Sequence, residues 1–400
     1  MAKSAIEAAP DRDRPTVLSL FAGASGLDLG FSAAGFETLA FVELEPWACD
    51  TLRENHPKAS VVGPPDHSGD VRDLTKASLG KLCEDATSPD VVIGGPPCQP
   101  YSIAAAQRFL RGDERFKRTG HADRRRGGLF REFFRVVRET EPRAFLLENV
   151  PGLLELDQGE AMAEMIEDLK GLGYRVAEPK VLEAADFGVP QLRQRVFIIG
   201  AMDAQPALPE PTYGPNSRGK RKWLTVAHAL AGMPTELANH APRKHEPRSI
   251  ARYRKLAFGQ REHLGRVDRL DPRRPSKTVI AGGSGGGGRS HLHPFIARTL
   301  TVRECARLQT FPDDFEFYGS SARQFTQVGN AVPPLLAEQL ARSLGTALGL
   351  DYGKKQLRHG RYLRRRTSLD ELTRQLVEES RIQRPGWLYE DIDSVELAVA

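Results

Sequence analysis

The sequence predicts an α/β fold: a doubly wound, mostly parallel sheet joined to a smaller, irregular domain. Two observations predict it. From Val17 to Gly200, short apolar runs of strand length alternate with segments of helical periodicity, as repeated βαβ units require. Past Gly200 the alternation stops, and residues 201–298 are rich in Pro, Gly, Arg and His with little helical periodicity. The expected organisation is a lead-in over 1–14, the doubly wound region over 15–200 and an irregular region over 201–325. A helix over 326–350 then returns to the first region, and residues 351–400 form an extension of unassigned role.

The elements follow in order. TVLSLF (16–21) reads as a strand and GLDLGFSAAG as a helix; TLAFVE (38–43) is the next strand, and PWACDTLRENH a helix opening on Pro46. SVV (60–62) is a short strand ahead of GDVRDL, and DVVIGG (90–95) a buried strand ending on glycine. GLFREFFRVVRETEP is an amphipathic helix stopped by Pro142. RAFLLEN (143–149) is a strand, and AMAEMIEDLKGLG a helix with a glycine stop. YRVAEPKVLEAADFG and RVFIIG complete the set. Further on, LTVRECARLQTF reads as a helix, and NAVPPLLAEQLARSLGTALG (330–349) as another with Asn330 as its cap. GGSGGGGRSHLHP (282–294) reads as a flexible loop, without the Lys-Ser/Thr ending of a phosphate-binding loop. The tail opens on the basic stretch KKQLRHGRYLRRR and ends acidic and apolar.

Bulk properties narrow the class. A hydrophobic fraction of 40% suffices for an ordinary core, and no run of eighteen apolar residues suggests a membrane span. MAKSAIEAAPDRDRP lacks the apolar centre of a signal peptide, so a short disordered lead-in and a cytoplasmic location are expected. The net charge of +5, with 43 Arg against 14 Lys, permits a polyanionic partner. A GC-rich coding genome would give the same arginine bias. None of the four cysteines forms a CxxC pair, so neither a metal site nor a disulfide framework is expected. Cys49, Cys83 and Cys305 read as small buried hydrophobes.

Cys98 stands apart. In GGPPCQPYS (94–102) it follows a strand and sits among three prolines, which fix φ and remove backbone donors. A thiol on so stiff a loop is a candidate nucleophile. Upstream, the small residues of FAGASGLDLG form a strand-to-helix turn around Gly23 that lets backbone approach a ligand closely. Glu43 lies twenty residues past Gly23, at the end of the second strand, where an acid can hold ribose hydroxyls. Asp70, after the third strand, can read an adenine edge. Together these describe an adenosine-containing cofactor; the turn alone does not exclude NAD.

FAGASGLDLGF, GGPPCQPYS, GGLF, LLENVPGLL (146–154), QLRQR (191–195), RECARLQTFPDDF and VGNAVPP occur in the order of the motifs of the DNA cytosine-5 methyltransferases, and the chain resembles that family over roughly residues 16–345. One departure is Ser25, where the family often has Gly; Ser is small, and the turn is expected to survive. The resemblance implies a Rossmann-like, S-adenosylmethionine-dependent methyltransferase sheet over 15–200 and a target-recognition domain over 201–325. It implies methyl transfer to C5 of a flipped-out cytosine in a specific duplex DNA sequence, through a covalent Cys98–C6 adduct.

Site residues follow from the same resemblance. Cys98 attacks, Glu148 serves N3 and the N4 amine, Asn149 supports the loop, and Arg193 and Arg195 serve the base, the cysteine side, a phosphate or a partner acid. Which arginine does which stays open. Cofactor contacts are implied at Phe21, Ala22, Gly23, Gly26 and Leu27 of the turn, and at Glu43, Leu44, Asp70 and Val71 after the second and third strands. Pro97, Leu129, Asn330, Ala331 and Val332 complete that set, Asn330 serving as cap, as cofactor contact, or as both. The segment 103–128 holds eight Arg or Lys against three acids. Arg108, Arg111, Lys117, Arg118 and Arg124 in it are expected on DNA phosphates.

The expected partner is double-stranded DNA, met as a monomer and without a membrane; a restriction or phage-defence partner fits the same chain. The basic stretch 354–366 could add DNA contact or bind a partner. An RNA cytosine-5 methyltransferase and a catalytically silent DNA-binding scaffold are the alternative readings, with a nicotinamide-dependent dehydrogenase the remote one.

Overall fold

The computed structural model describes residues 14–82, 88–97, 128–154, 160–216, 219–264, 266–281, 291–352, 357, 359–363 and 365–392. Its centre is an eight-stranded sheet. The strands are β1 (Thr16–Leu20), β2 (Glu37–Val42), β3 (Ser60–Val62), β4 (Val91–Gly94), β5 (Ala144–Asn149), β6 (Arg175–Val176), β7 (Lys180–Glu183) and β8 (Gln194–Ala201). Their order is β3-β2-β1-β4-β5-β8-β6, with β7 also paired to β8. Strands β1 to β5 run parallel, β8 runs antiparallel to β5, and β6 and β7 run antiparallel to β8.

The apolar runs read as strands because both sheet faces are covered. Val17, Val91, Ile93 and Leu146 enter one core; Leu18, Val92, Phe145 and Leu147 enter the other. Successive residues alternate between the two, as the two-residue period of a strand dictates. Among the described residues, five helices accompany the strands: α1 (Gly26–Ala33), α2 (Pro46–Asn55), α3 (Lys76–Leu82), α4 (Gly128–Thr140) and α5 (Glu160–Gly171). The apolar stripe of α4 supplies Phe130, Phe133, Val136 and Val137 to the second core.

Chain order decides where a ligand can sit. From β1 the chain winds outward through β2 to β3, then returns to β4 on the other flank of β1 and continues to β5. The winding direction therefore reverses between β1 and β4. Their C-terminal ends, Leu20 and Gly94, lie side by side at that switch point, and in such sheets ligands bind in the crevice beyond it.

The remaining described chain is less regular. Tyr213–Gly214 pairs with Arg221–Lys222, and Arg261–Glu262, Val267–Arg269 and His291–Leu292 form a three-stranded sheet. Short helices Val226–Leu230 and Pro247–Tyr253 interrupt a stretch expected to lack helix. Helix Val302–Leu308 opens on a capping box: Glu304 N–H donates to Thr301 Oγ1 at 3.1 Å, and Thr301 N–H to Glu304 Oε2 at 2.7 Å.

One expectation is corrected here. Asn330 does not cap the helix that follows it: that helix runs Pro334–Ala347, and Asn330 is the last residue of an unforeseen helix, Ser321–Asn330. Pro333 and Pro334 explain the shift, since proline suits only the first turn. The extension of unassigned role contains a helix, Leu369–Gln383, whose Leu372, Leu376 and Val377 join the first core.

Helix Pro334–Ala347 lies directly on α1. A Cβ on Gly30 would come within 2.4 Å of Ala337, and one on Gly26 within 2.2 Å of the Val332 carbonyl oxygen. Backbone meets backbone there, and the late helix carries segment 328–332 back to the β1–α1 turn. Among the described residues, no helix is long and apolar enough to cross a membrane.

Candidate active site

The turn leaving β1 is held in an unusual conformation. Phe21, Gly23 and Ser25 all have positive φ, at 54°, 53° and 53°. Such backbone favours glycine and strains other residues. Glycine would adopt the φ of position 25 without that strain. Ser25 is held by its N–H, which donates to the Ala22 carbonyl at 2.8 Å, and by a 2.8 Å hydrogen bond between Oγ and His56 Nε2. Burial pushes the His56 pKa down to about 4, so the ring is neutral at pH 7.

Glu43 locks this turn to the end of β2. Its Oε2 accepts the Gly23 N–H at 2.7 Å, and its Oε1 accepts the Glu45 N–H at 2.8 Å. Burial raises its pKa, and those two hydrogen bonds oppose the rise. A carboxylate has further lone pairs, so the group keeps acceptor capacity for a ligand's hydroxyls. Gly69, at φ +72°, lies so close to the Glu43 carbonyl that a Cβ would sit 1.9 Å from its oxygen. That approach brings Asp70 beside Glu43. Asp70 is paired with the Arg72 guanidinium, which holds its carboxyl below the usual range.

Leu44, next in sequence, is 53% exposed, an apolar side chain with an open face. A buried acid, an open leucine and an anionic Asp70 in one cradle suit an adenosine: hydroxyls, ring face and amine edge. Of the other positions expected there, Phe21, Ala22, Gly23 and Leu129 are half-buried, while Pro97 and Asn330 are exposed. Leu27, Val71, Ala331 and Val332 turn their side chains into the core and leave main chain to offer; Gly26 is buried against Val332.

Across the crevice, the chain leaving β4 is tied to the end of β5. A Cβ on Gly95 would meet Glu148 Oε2 at 2.7 Å, so a larger residue there would displace that carboxyl. Asn149 Nδ2 donates to the Pro96 carbonyl at 3.2 Å, while its Oδ1 accepts the Val150 N–H at 2.9 Å. Cys98, one residue past Pro97, lies outside the described residues, as do Arg108, Arg111, Lys117, Arg118 and Arg124.

Glu148 is 8% exposed and pairs with Arg195, Nε to Oε1 at 2.9 Å. Burial pushes its pKa up; Arg195 and then Arg193 oppose that rise. The two arginines do different work. Arg193 is 1% exposed, and its guanidinium donates to the carbonyls of Val279 at 3.3 Å, Gly329 at 2.9 Å and Asn330 at 3.3 Å. It binds main chain, holding segments 279 and 329–330 against the start of β8.

Two residues with similar work were not foreseen. Gln191 and Gln309 are fully buried and meet through Nε2 and Oε1 at 2.9 Å. Gln191 Oε1 accepts the Val279 N–H at 2.8 Å, and Gln309 Nε2 donates to the Val328 carbonyl at 2.7 Å. Both lie inside QLRQR and RECARLQTF, so their motifs were in view and their amides were not.

The chain is similar to known proteins over most of its length. Residues 16–346 match the family model described as C-5 cytosine-specific DNA methylase. The type II methyltransferase M1.HphI of Haemophilus parahaemolyticus is 39% identical over 354 residues, covering 82% of this chain and 86% of the relative. M.NgoFVII of Neisseria gonorrhoeae, also a type II methyltransferase, is 34% identical over 365 residues, covering 86% and 90%. Among solved structures, a prophage-encoded DNA modification methyltransferase of E. coli superposes with a TM-score of 0.68 at 26% identity. That superposition covers 84% of this chain and 100% of the other.

Proposed function

Because the chain belongs to the C-5 cytosine-specific DNA methylase family, we propose that it transfers a methyl group from S-adenosyl-L-methionine to C5 of a cytosine flipped out of duplex DNA. The observation that carries this reading is a convergence at the switch point. The Glu43-locked turn stands on one side, and the Gly95–Pro97 platform with the Glu148–Arg195 pair on the other. Gly23, Glu43, Leu44, Asp70 and Asn330 are the residues that would hold the donor, which supplies an electrophilic methyl group when bound.

The chain's own residues do the rest. Cytosine C5 is a poor nucleophile until a thiolate adds to C6. Cys98 makes that bond, leaving C5 enamine-like. Negative charge on the ring is relieved at N3, where Glu148 holds a proton that its burial favours. Arg195 opposes that burial effect and steadies the carboxylate left once the proton has passed to N3; the carboxylate takes that proton back when the ring is restored. Asn149 fixes the Pro96 carbonyl and so limits the slack of the thiol against C6. C5 takes the methyl group, a water beside the Pro-Cys loop accepts the C5 proton, and elimination breaks the C6–S bond and frees the Cys98 thiolate.

The basic segment around Arg108, Arg111, Lys117, Arg118 and Arg124 contacts phosphates. The region 201–298 reads the target sequence. The similarity to type II methyltransferases supports a role in restriction-modification. Labelled methyl transfer from S-adenosylmethionine to duplex DNA tests the reading, with tRNA as the competing substrate. Label in DNA that is lost in Cys98→Ala supports it; label in tRNA alone, or turnover surviving in Cys98→Ala, overturns it.

A further inference from the structure

The family match stops at residue 346, yet the chain beyond it is built into the molecule at both ends. Near the catalytic sheet, His359 N–H donates to Glu338 Oε2 at 3.0 Å, and the His359 ring lies 2.8 Å from the Leu29 carbonyl of α1. Tyr362 donates its hydroxyl to the Arg307 carbonyl at 2.6 Å. The helix Leu369–Gln383 continues the path, and its Glu379 accepts the Gly232 N–H at 3.0 Å.

The far end closes over the irregular region. Tyr389 is a member of that region's own small core, with Tyr253, Leu256, Val267, Leu292 and Ala297. Ala297 N–H donates to the Trp387 carbonyl at 2.7 Å, and Leu388 forms an antiparallel bridge with Ile296. At the centre is Arg269, fully buried at the base of the Arg261–Arg269 hairpin. Its guanidinium carbon stacks 3.7 Å from the Tyr389 ring centre and 4.0 Å from that of Phe258, and its Nη1 pairs with Asp391 at 2.8 Å. The hairpin tip is exposed: His263, Leu264 and Arg266 face outward, and Leu264 is 80% accessible.

We propose that residues 387–391 are a clasp that positions the Arg261–Arg269 hairpin to meet duplex DNA, so that target discrimination depends on a segment outside the family domain. The inference rests on the reading of the chain as a DNA methyltransferase. An apolar tip between cationic side chains suits a nucleic-acid groove, where it meets base edges while the cations meet phosphates. Such a tip reads sequence only if its base is fixed. Arg269 fixes it from one side, and Tyr389 with Asp391 from the other.

The test uses full-length Tyr389→Ala, Asp391→Asn and Tyr389→Phe. The Tyr389 hydroxyl has no hydrogen-bond partner among the described residues, so Tyr389→Phe keeps the stack and loses nothing else. The probes are a short duplex carrying the sequence that the wild type methylates and a scrambled duplex of equal composition. In Tyr389→Ala and Asp391→Asn, KM for the target duplex should rise about tenfold and the target-to-scrambled affinity ratio should fall by a similar factor. Their kcat and S-adenosylmethionine affinity should stay near wild type, and Tyr389→Phe should match wild type throughout.

Unchanged discrimination in Tyr389→Ala, equal losses in the Ala and Phe variants, or a loss of kcat alone would each overturn the clasp. A wild-type enzyme that methylates no DNA would sink the functional reading instead. Amide exchange would still judge the clasp in that case: Tyr389→Ala should deprotect 256–269 and leave β1 and β4 protected, and unchanged protection of 256–269 would refute it.

Discussion

Glu148 is pulled in two directions by its surroundings. Burial favours its neutral form, and the Arg195 guanidinium favours the anion. If the protonated carboxyl serves the ring, activity falls as pH rises through that raised pKa. Removing the cation removes an influence that lowers the pKa, so Arg195→Ala should move the alkaline limb of the kcat profile to higher pH. Glu148→Gln should abolish that limb and reduce kcat by about 10²–10⁴-fold. A limb that stays in place in Arg195→Ala would assign the titration to another group. Ser25 offers a second residue-scale test, of stability. Ser25→Ala keeps the positive φ and loses the bond to His56, so it should cost about 1–3 kcal/mol in denaturant unfolding. Ser25→Gly loses the bond but relieves the strain and should lie near wild type. Equal losses in both would show that the backbone conformation carries no cost.

At the scale of elements, the close approach of α1 to helix Pro334–Ala347 connects the two ends of the catalytic region. Gly30→Ala would force a Cβ to within 2.4 Å of Ala337 and of the Glu338 backbone. The helices must part, at a cost of about 1–3 kcal/mol. The 328–332 segment is also held by Arg193 and Gln309, and it should shift with them. Weaker S-adenosylmethionine binding should therefore accompany the lower Tm; a lower Tm with unchanged binding would separate this contact from the cofactor side. Much of this scale was legible beforehand. β1, β4 and β5 are short apolar runs buried on both faces, and α4 has one continuous apolar stripe, so local pattern suffices for them. Ser321–Asn330 was not legible, because its SARQFTQVGN sequence carries few apolar positions and is helical by tertiary packing. Leu369–Gln383 did carry a signal, since Ser368 accepts the Glu371 N–H at 3.2 Å as an N-cap. The site divides the same way. Cys98 and Glu148 stand out from residues beside them in sequence. The work of Arg193 depends on carbonyls 86 to 137 residues away, which no local pattern reports.

For the molecule as a whole, the long-range ties give each region a place. The sheet reverses its winding between β1 and β4, which makes their C-terminal ends the switch point. Late segments close on it: 328–332 through Gly26, and 279–281 through Gly329, where a Cβ would lie 2.3 Å from the Ala281 nitrogen. The tail then fastens the irregular region through Arg269. In the proposed reaction all of this serves one chemical event, attack by the Cys98 thiolate on C6 of cytosine. A duplex in which the target cytosine carries fluorine at C5 reports that event directly, because the fluorine cannot leave as the C5 proton does and the adduct persists. The duplex is incubated with S-adenosylmethionine and protein, and the digested complex is mapped by mass spectrometry. The account predicts a methylated, fluorinated cytosine linked to the peptide containing Cys98, and no adduct in Cys98→Ser. A crosslink at another residue, or methylation of the ordinary duplex with no adduct on the fluorinated one, would contradict it.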